Sequence, residues 1–157
     1  MRRDYFTLDV SNVDWVDTDS EPAQPTVIID FEGPASTFEQ RLTGTDGDLL
    51  DAGETDVAFR LQSGLEDPDA TGVVGVTNRI TGDFVLELNE DAEDVLKFIR
   101  AARKYGKEAD EDAGRYHVEI RVNGEHVVSY EKSTFLVYND AGNLLRQHSL
   151  IPSGVEL

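Results

Sequence analysis

Apolar and polar positions alternate with a period of two over several stretches of this chain, and that alternation sets the first expectations. Phe6, Leu8 and Val10 share one face of a strand that begins near Tyr5. Val27 to Phe31 is a dense β-branched run closed by Gly33-Pro34, and a weaker extended segment follows from Thr37 to Leu42. Val57, Phe59 and Leu61 alternate again. Val73-Val74-Gly75-Val76 is expected to pair with Phe84 to Leu88 through Thr81-Gly82, and Tyr116 to Val122 with His126 to Tyr130 through Asn123-Gly124. Read as a two-residue turn, Asn123-Gly124 places His126 opposite Arg121 and His117 opposite Tyr130. Thr134 to Tyr138 is apolar on both faces and reads as a central strand, with Leu144 to Ile151 as the last one.

The period changes once. Ala92, Val95, Leu96, Ile99 and Ala102 recur at helical spacing, and Phe98 and Tyr105 widen the stripe. Asn89 is suited to the N-cap, Glu90, Asp91, Glu93 and Asp94 load the first turns with negative charge, and Gly106 is placed to end the helix. The spacing therefore predicts one amphipathic helix over 89–106, packed on a sheet by its apolar face. Eight or nine strands with a single helix, and no regular strand–helix alternation, predict an α+β fold built on a mostly antiparallel sheet or sandwich. One domain over 1–157 is expected from the length. Trp15, with Val13 and Val16, lies in an acidic excursion from Ser11 to Pro25 and is expected to anchor that loop to the core.

Charge alters this picture more than any other property. Asp and Glu number 32 against 14 Lys and Arg, a formal net charge of -18. Such a surface repels itself in dilute solution, and the repulsion collapses in concentrated salt, where the Debye length falls to roughly 3 Å at 1 M. The carboxylates are spread from Asp4 to Glu156, as in a solvated coat, instead of standing in the blocks expected of a nucleic-acid mimic. The chain has no cysteine, which excludes disulfides, thiolate metal sites and thiol catalysis and agrees with a reducing cytoplasm. The twin arginine Arg2-Arg3 is followed by acidic residues and not by an apolar export segment. No run approaches the roughly 18 apolar residues of a membrane span, so a cytoplasmic protein is expected.

Two clusters carry candidate chemistry. Lys97, Arg100, Arg103, Lys104 and Lys107 bring five of the cations together at the helix end. Cations there stabilise a helix by roughly 0.3–1 kcal/mol each at low salt, and the same cluster suits docking of an acidic protein partner, or of an anion or RNA. Concentrated salt argues against nucleic acid, since phosphate contacts weaken steeply with salt. His117, Glu119 and Arg121 share one strand face, and the alternative reading is a small-molecule or acid–base pocket around them. Alternate residues on any solvent-facing strand look much the same. His117 and His126 are too far apart along the ladder to share a metal. Asp46, Asp48 and Asp51 fall near a turn, but Leu50 and Asp51 occupy loop positions where a calcium site needs a ligand and a glycine. With no Gly-rich phosphate loop, G-x-S-x-G or H-E-x-x-H, the sequence offers no catalytic residue, cofactor or metal. The expectation is a binding or adaptor domain, not an enzyme, that meets a protein partner; homo-oligomerisation is left open.

The opening Met1-Arg2-Arg3-Asp4-Tyr5-Phe6-Thr7-Leu8-Asp9-Val10, the segment Phe59-Arg60-Leu61 and the acidic, lysine-poor composition resemble a family of haloarchaeal domains of unknown function. The similarity covers essentially the whole chain. It implies a cytoplasm rich in potassium chloride and supplies no functional residue.

Overall fold

The computed structural model describes residues 5–18, 20–109 and 116–151, with the backbone alone for 107–109. Among the described residues eight strands, numbered in chain order, form two four-stranded sheets. The first sheet sets β1 (Phe6–Ser11), β2 (Thr26–Phe31), β6 (Tyr116–Val122) and β7 (Glu125–Lys132) side by side in that order. The second sets out β5 (Phe84–Asp91), β4 (Thr71–Asn78), β3 (Thr55–Leu61) and β8 (Leu136–Tyr138). The pairs β2–β6 and β3–β8 are parallel, whereas β1–β2, β3–β4, β4–β5 and β6–β7 are antiparallel. The architecture is thus the α+β, mostly antiparallel arrangement expected from the alternation.

Burial follows that alternation. Val27, Ile29 and Phe31, then Val118, Ile120 and Val122, turn inward from the first sheet, and Val57, Phe59, Leu61, Val74 and Val76 meet them from the second. Removing each such side chain from water stabilises the fold by roughly 1.5–3 kcal/mol, before the entropy of ordering it is counted. Phe6, Phe31 and Phe38 close one end of the core with ring centroids 4.7 to 5.3 Å apart. Phe98, Tyr116 and Phe135 pack together elsewhere at 5.4 to 6.3 Å.

Among the described residues two α-helices are present where one was expected. The segment expected to be extended from Thr37 forms α1 (Ala35–Arg41). Phe38 and Leu42 lie four residues apart and are both fully buried, so one helical face carries them into the core. The long helix α2 is Ala92–Ala109, which corrects both expected ends. Asn89 is not a cap: it pairs with Val73, because β5 continues along β4 as far as the Thr71–Asp91 pair. Ladder hydrogen bonds there outweigh the local preference of Asn for a helix start. Gly106 lies buried within the helix and does not end it.

Two strand assignments also change. β8 is an edge strand of its sheet, and not central. Its outer side is covered by the returning chain: the main-chain N–H of Val137 donates to Ser149 Oγ at 2.8 Å and that of Leu145 to the carbonyl of Val137 at 2.8 Å. The segment expected as a last strand thus makes only bridges at Leu144 and Leu150 around a 3-10 turn, Arg146–His148. Covering an edge in this way protects it from pairing with another chain. In the β6–β7 hairpin Arg121 does face His126, but Val127 is an extra, bulged residue, so His117 faces Glu131 and not Tyr130. The bulge turns Tyr130 and Lys132 into the core and leaves Glu131 outside.

Trp15 is buried as expected, but it holds its loop against α2 and stands outside the main apolar cluster. It is 6% exposed within a 3-10 turn, Asp14–Asp17, and its indole N–H donates to the carbonyl of Asn12. Among the described residues no helix is long and apolar enough to cross a membrane.

Candidate functional site

The helix-end cations do not form one patch; the structure divides them. Lys97 reaches Asp14 at 2.9 Å and Asp17 at 3.7 Å, and the Lys104 ammonium stands 5.6 Å from the centre of the Trp15 ring. These two therefore hold the Asp14–Asp17 turn against α2 through ion pairing and a cation–π contact. Arg103 turns the other way and donates to the carbonyls of Ser149 at 2.8 Å and Gln147 at 3.4 Å. Arg100 is exposed and has no partner among the described residues. The side chain of Lys107 lies outside what is described; its backbone belongs to α2.

Arg100 and Arg103 line a groove of about 510 Å³ between α2, the β3–β4 loop and the Arg146–His148 turn. Leu65 and Pro68 come from the loop and Leu96 from the helix, giving the groove an apolar lining. Glu93 also lines it, seven residues or roughly 10 Å back along α2 from Arg100. Along α2 the lining therefore runs from a carboxylate near the helix start to guanidinium groups nearer its end, and the loop adds a second carboxylate, Asp67. Its volume falls within the ~300–1,000 Å³ usual for ligand clefts.

His117, Glu119 and Arg121 are brought together on the outer face of the first sheet. There they meet side-chain partners. His117 Nδ1 lies 2.7 Å from Glu131 Oε1, and Gln24 Nε2 donates to Glu131 Oε2 at 2.6 Å. Arg121 pairs with Glu119 on the same strand. None of the three lines the groove beside α2 or the cavity between the sheets. Asp46 accepts from the main-chain N–H of Asp48 at 3.1 Å, a turn contact. Among the described residues, no three His, Asp or Glu side chains converge where they would hold a metal.

Sequence reasoning missed the cavity between the sheets and the residue at its mouth. Val27, Ile29, Val57, Val74, Val76 and Phe98 line a space of about 50 Å³ that opens to the surface. Glu90, assigned from sequence to the first helical turn, is instead the next inward-facing position of β5 after Leu86 and Leu88. Continuing the period of two for one more step past Leu88 would have found it.

A family model described as Family of unknown function (DUF5793) matches residues 1–157, and the chain belongs to that family. No curated protein and no solved structure matches it.

Proposed function

We propose that this member of a family of unknown function is a binding domain that meets a protein partner through the groove beside α2. The observation that carries the reading is Arg100, an exposed cation free of partners among the described residues, beside Leu65 and Leu96 in a chain of net charge -18. An acidic segment with an apolar anchor residue fits: the carboxylate meets Arg100 and the anchor covers the leucines. A guanidinium suits this role because it grips a carboxylate with two parallel hydrogen bonds, and the apolar contact does not weaken when salt screens the charges.

The carboxylate coat is read as adaptation to concentrated salt in a haloarchaeal cytoplasm. Exposed acids occur on strands, helices and loops alike, among them Asp9, Glu39, Asp48, Glu66, Asp91, Glu125 and Asp140. A recognition device would gather them on one surface.

Affinity isolation in concentrated potassium chloride with wild type, Arg100→Glu and Arg121→Glu tests the groove. Loss of the partner, at least tenfold in affinity, is expected for Arg100→Glu alone. Equal capture by the wild type and Arg100→Glu removes the groove from consideration, and loss confined to Arg121→Glu transfers the contact to the outer face of the first sheet.

A further inference from the structure

The cavity between the sheets is set apart from the groove by position and by chemistry. Protein interiors pack with few voids larger than a water molecule. A water needs roughly 10–15 Å³ of such space and two to four polar partners. This cavity, at about 50 Å³, is several times larger, and the valines, isoleucine and phenylalanine around it offer water almost nothing to bond. Hydrocarbon suits it better than solvent does.

Its mouth has the opposite character. The cavity reaches Leu8 and Val10 on the edge strand β1 and Glu90 and Asp94 at the β5–α2 junction, where Val10 is 41% exposed and Asp94 is exposed. Glu90 faces inward from β5, and neither it nor Asp94 pairs with a cation among the described residues. The nearest lysine along the helix, Lys97, is committed to Asp14 and Asp17. Burial first, then the neighbouring carboxylates of Asp94 and Asp91, hold the Glu90 carboxyl above its usual range. The mouth is therefore an uncompensated negative locus at the rim of an apolar space. A ligand that brings a positive charge relieves it, one that brings a carboxylate aggravates it, and an uncharged one leaves it as it stands.

We propose that this cavity binds a small cationic amphiphile, its short hydrocarbon chain between the sheets and its ammonium head between Glu90 and Asp94. The site is independent of the groove beside α2, so either can fail without the other.

Butylammonium, 1-butanol and butyrate have the same chain length and differ in the head, so they separate the two halves of the proposal. Each is titrated into the full chain in potassium chloride while the methyl signals of Ile29, Val74, Val76 and Val118 are followed by NMR. Butylammonium is expected to shift these methyls, with at least tenfold weaker binding of butanol and no response to butyrate. Glu90→Gln is expected to reduce butylammonium to the affinity of butanol, and Val76→Ile, which fills part of the space, to weaken both. If Val76→Ile does not fold, Glu90→Gln decides. Methyl signals unmoved by butylammonium, or equal affinity for butylammonium and butanol, overturn the proposal.

Discussion

The ammonium of Lys132 donates to the main-chain carbonyl of Thr55 at 2.6 Å, and to that of Ala52 at 2.7 Å. The end of β7 in one sheet is thereby fastened to the turn that opens β3 in the other. Burial, with the nearby Arg79 charge, lowers the Lys132 pKa from its ordinary value against the opposing pull of Asp56 and Asp51. Lys132→Met keeps the hydrocarbon stem and leaves two carbonyls without their donor. A loss of about 1–3 kcal/mol is expected, read as a lower urea midpoint at an unchanged slope. An unchanged midpoint would show that the two carbonyls find water instead.

Tyr130, two residues earlier and 3% exposed, has a buried hydroxyl with no hydrogen-bond partner among the described residues. Burial, with Asp51 and Glu54 nearby, pushes its pKa up to about 12. Tyr130→Phe removes an unsatisfied group and is expected to leave stability unchanged or raise it by up to about 1 kcal/mol. Tyr116 is the control, since its hydroxyl donates to the carbonyl of Thr134 at 2.6 Å. Tyr116→Phe is expected to lose about 1 kcal/mol. The order of the two urea midpoints checks the pair, and a reversed order refutes the assignment.

Glu90 gives a pH-dependent prediction with a definite sign. Its folded pKa is raised above the ordinary 4.5, so the folded chain holds that proton more tightly than the unfolded chain does. The favourable contribution is present below the ordinary value and is lost as pH rises through the folded one. Glu90→Gln should therefore be more stable than wild type at pH 7, by less than about 1 kcal/mol because the group is largely solvated. The advantage should shrink to nothing as pH falls below 4.5. Paired thermal melts across that range measure it, and an advantage that grows toward acid contradicts the assignment.

Salt supplies a prediction about the whole surface. Between 0.1 M and 1 M potassium chloride the Debye length falls from roughly 10 Å to 3 Å, and the mutual repulsion of a chain at -18 falls with it. The melting temperature is expected to climb through this range. Equal melting at both concentrations would mean that the carboxylate excess does not burden the fold.

What the sequence revealed, and what it concealed, follows from how far each signal reaches. Alternation located β2, β3, β4 and β6, since a side chain's face depends only on its neighbours in the same strand. The Asn123-Gly124 turn was legible because Asn123 and Gly124 both adopt positive φ, at 50° and 84°. Val127 looks like any other strand residue, so nothing local announces its bulge; what selects it is the burial of Tyr130 and Lys132 that the shift makes available. The β5–α2 boundary was misplaced for a similar reason, because Asn89, Glu90 and Asp91 suit a helix start until the pairing with β4 claims them. For the candidate site, the helix-end cations were visible, but their division between Trp15, the 147–149 carbonyls and the groove depends on segments distant in sequence.

The parallel pairing of β2 with β6 ties Thr26–Phe31 to Tyr116–Val122 across the strands of the second sheet. On the ribosome, β3, β4 and β5 emerge as consecutive antiparallel neighbours and have their partners at hand. β1 and β2 must wait as a two-stranded hairpin, which is marginal by itself in water. Closing so long an intervening stretch is entropically slow. The first sheet therefore stays incomplete until β6 and β7 have emerged, and a pause before β6 leaves one edge of β2 unpaired.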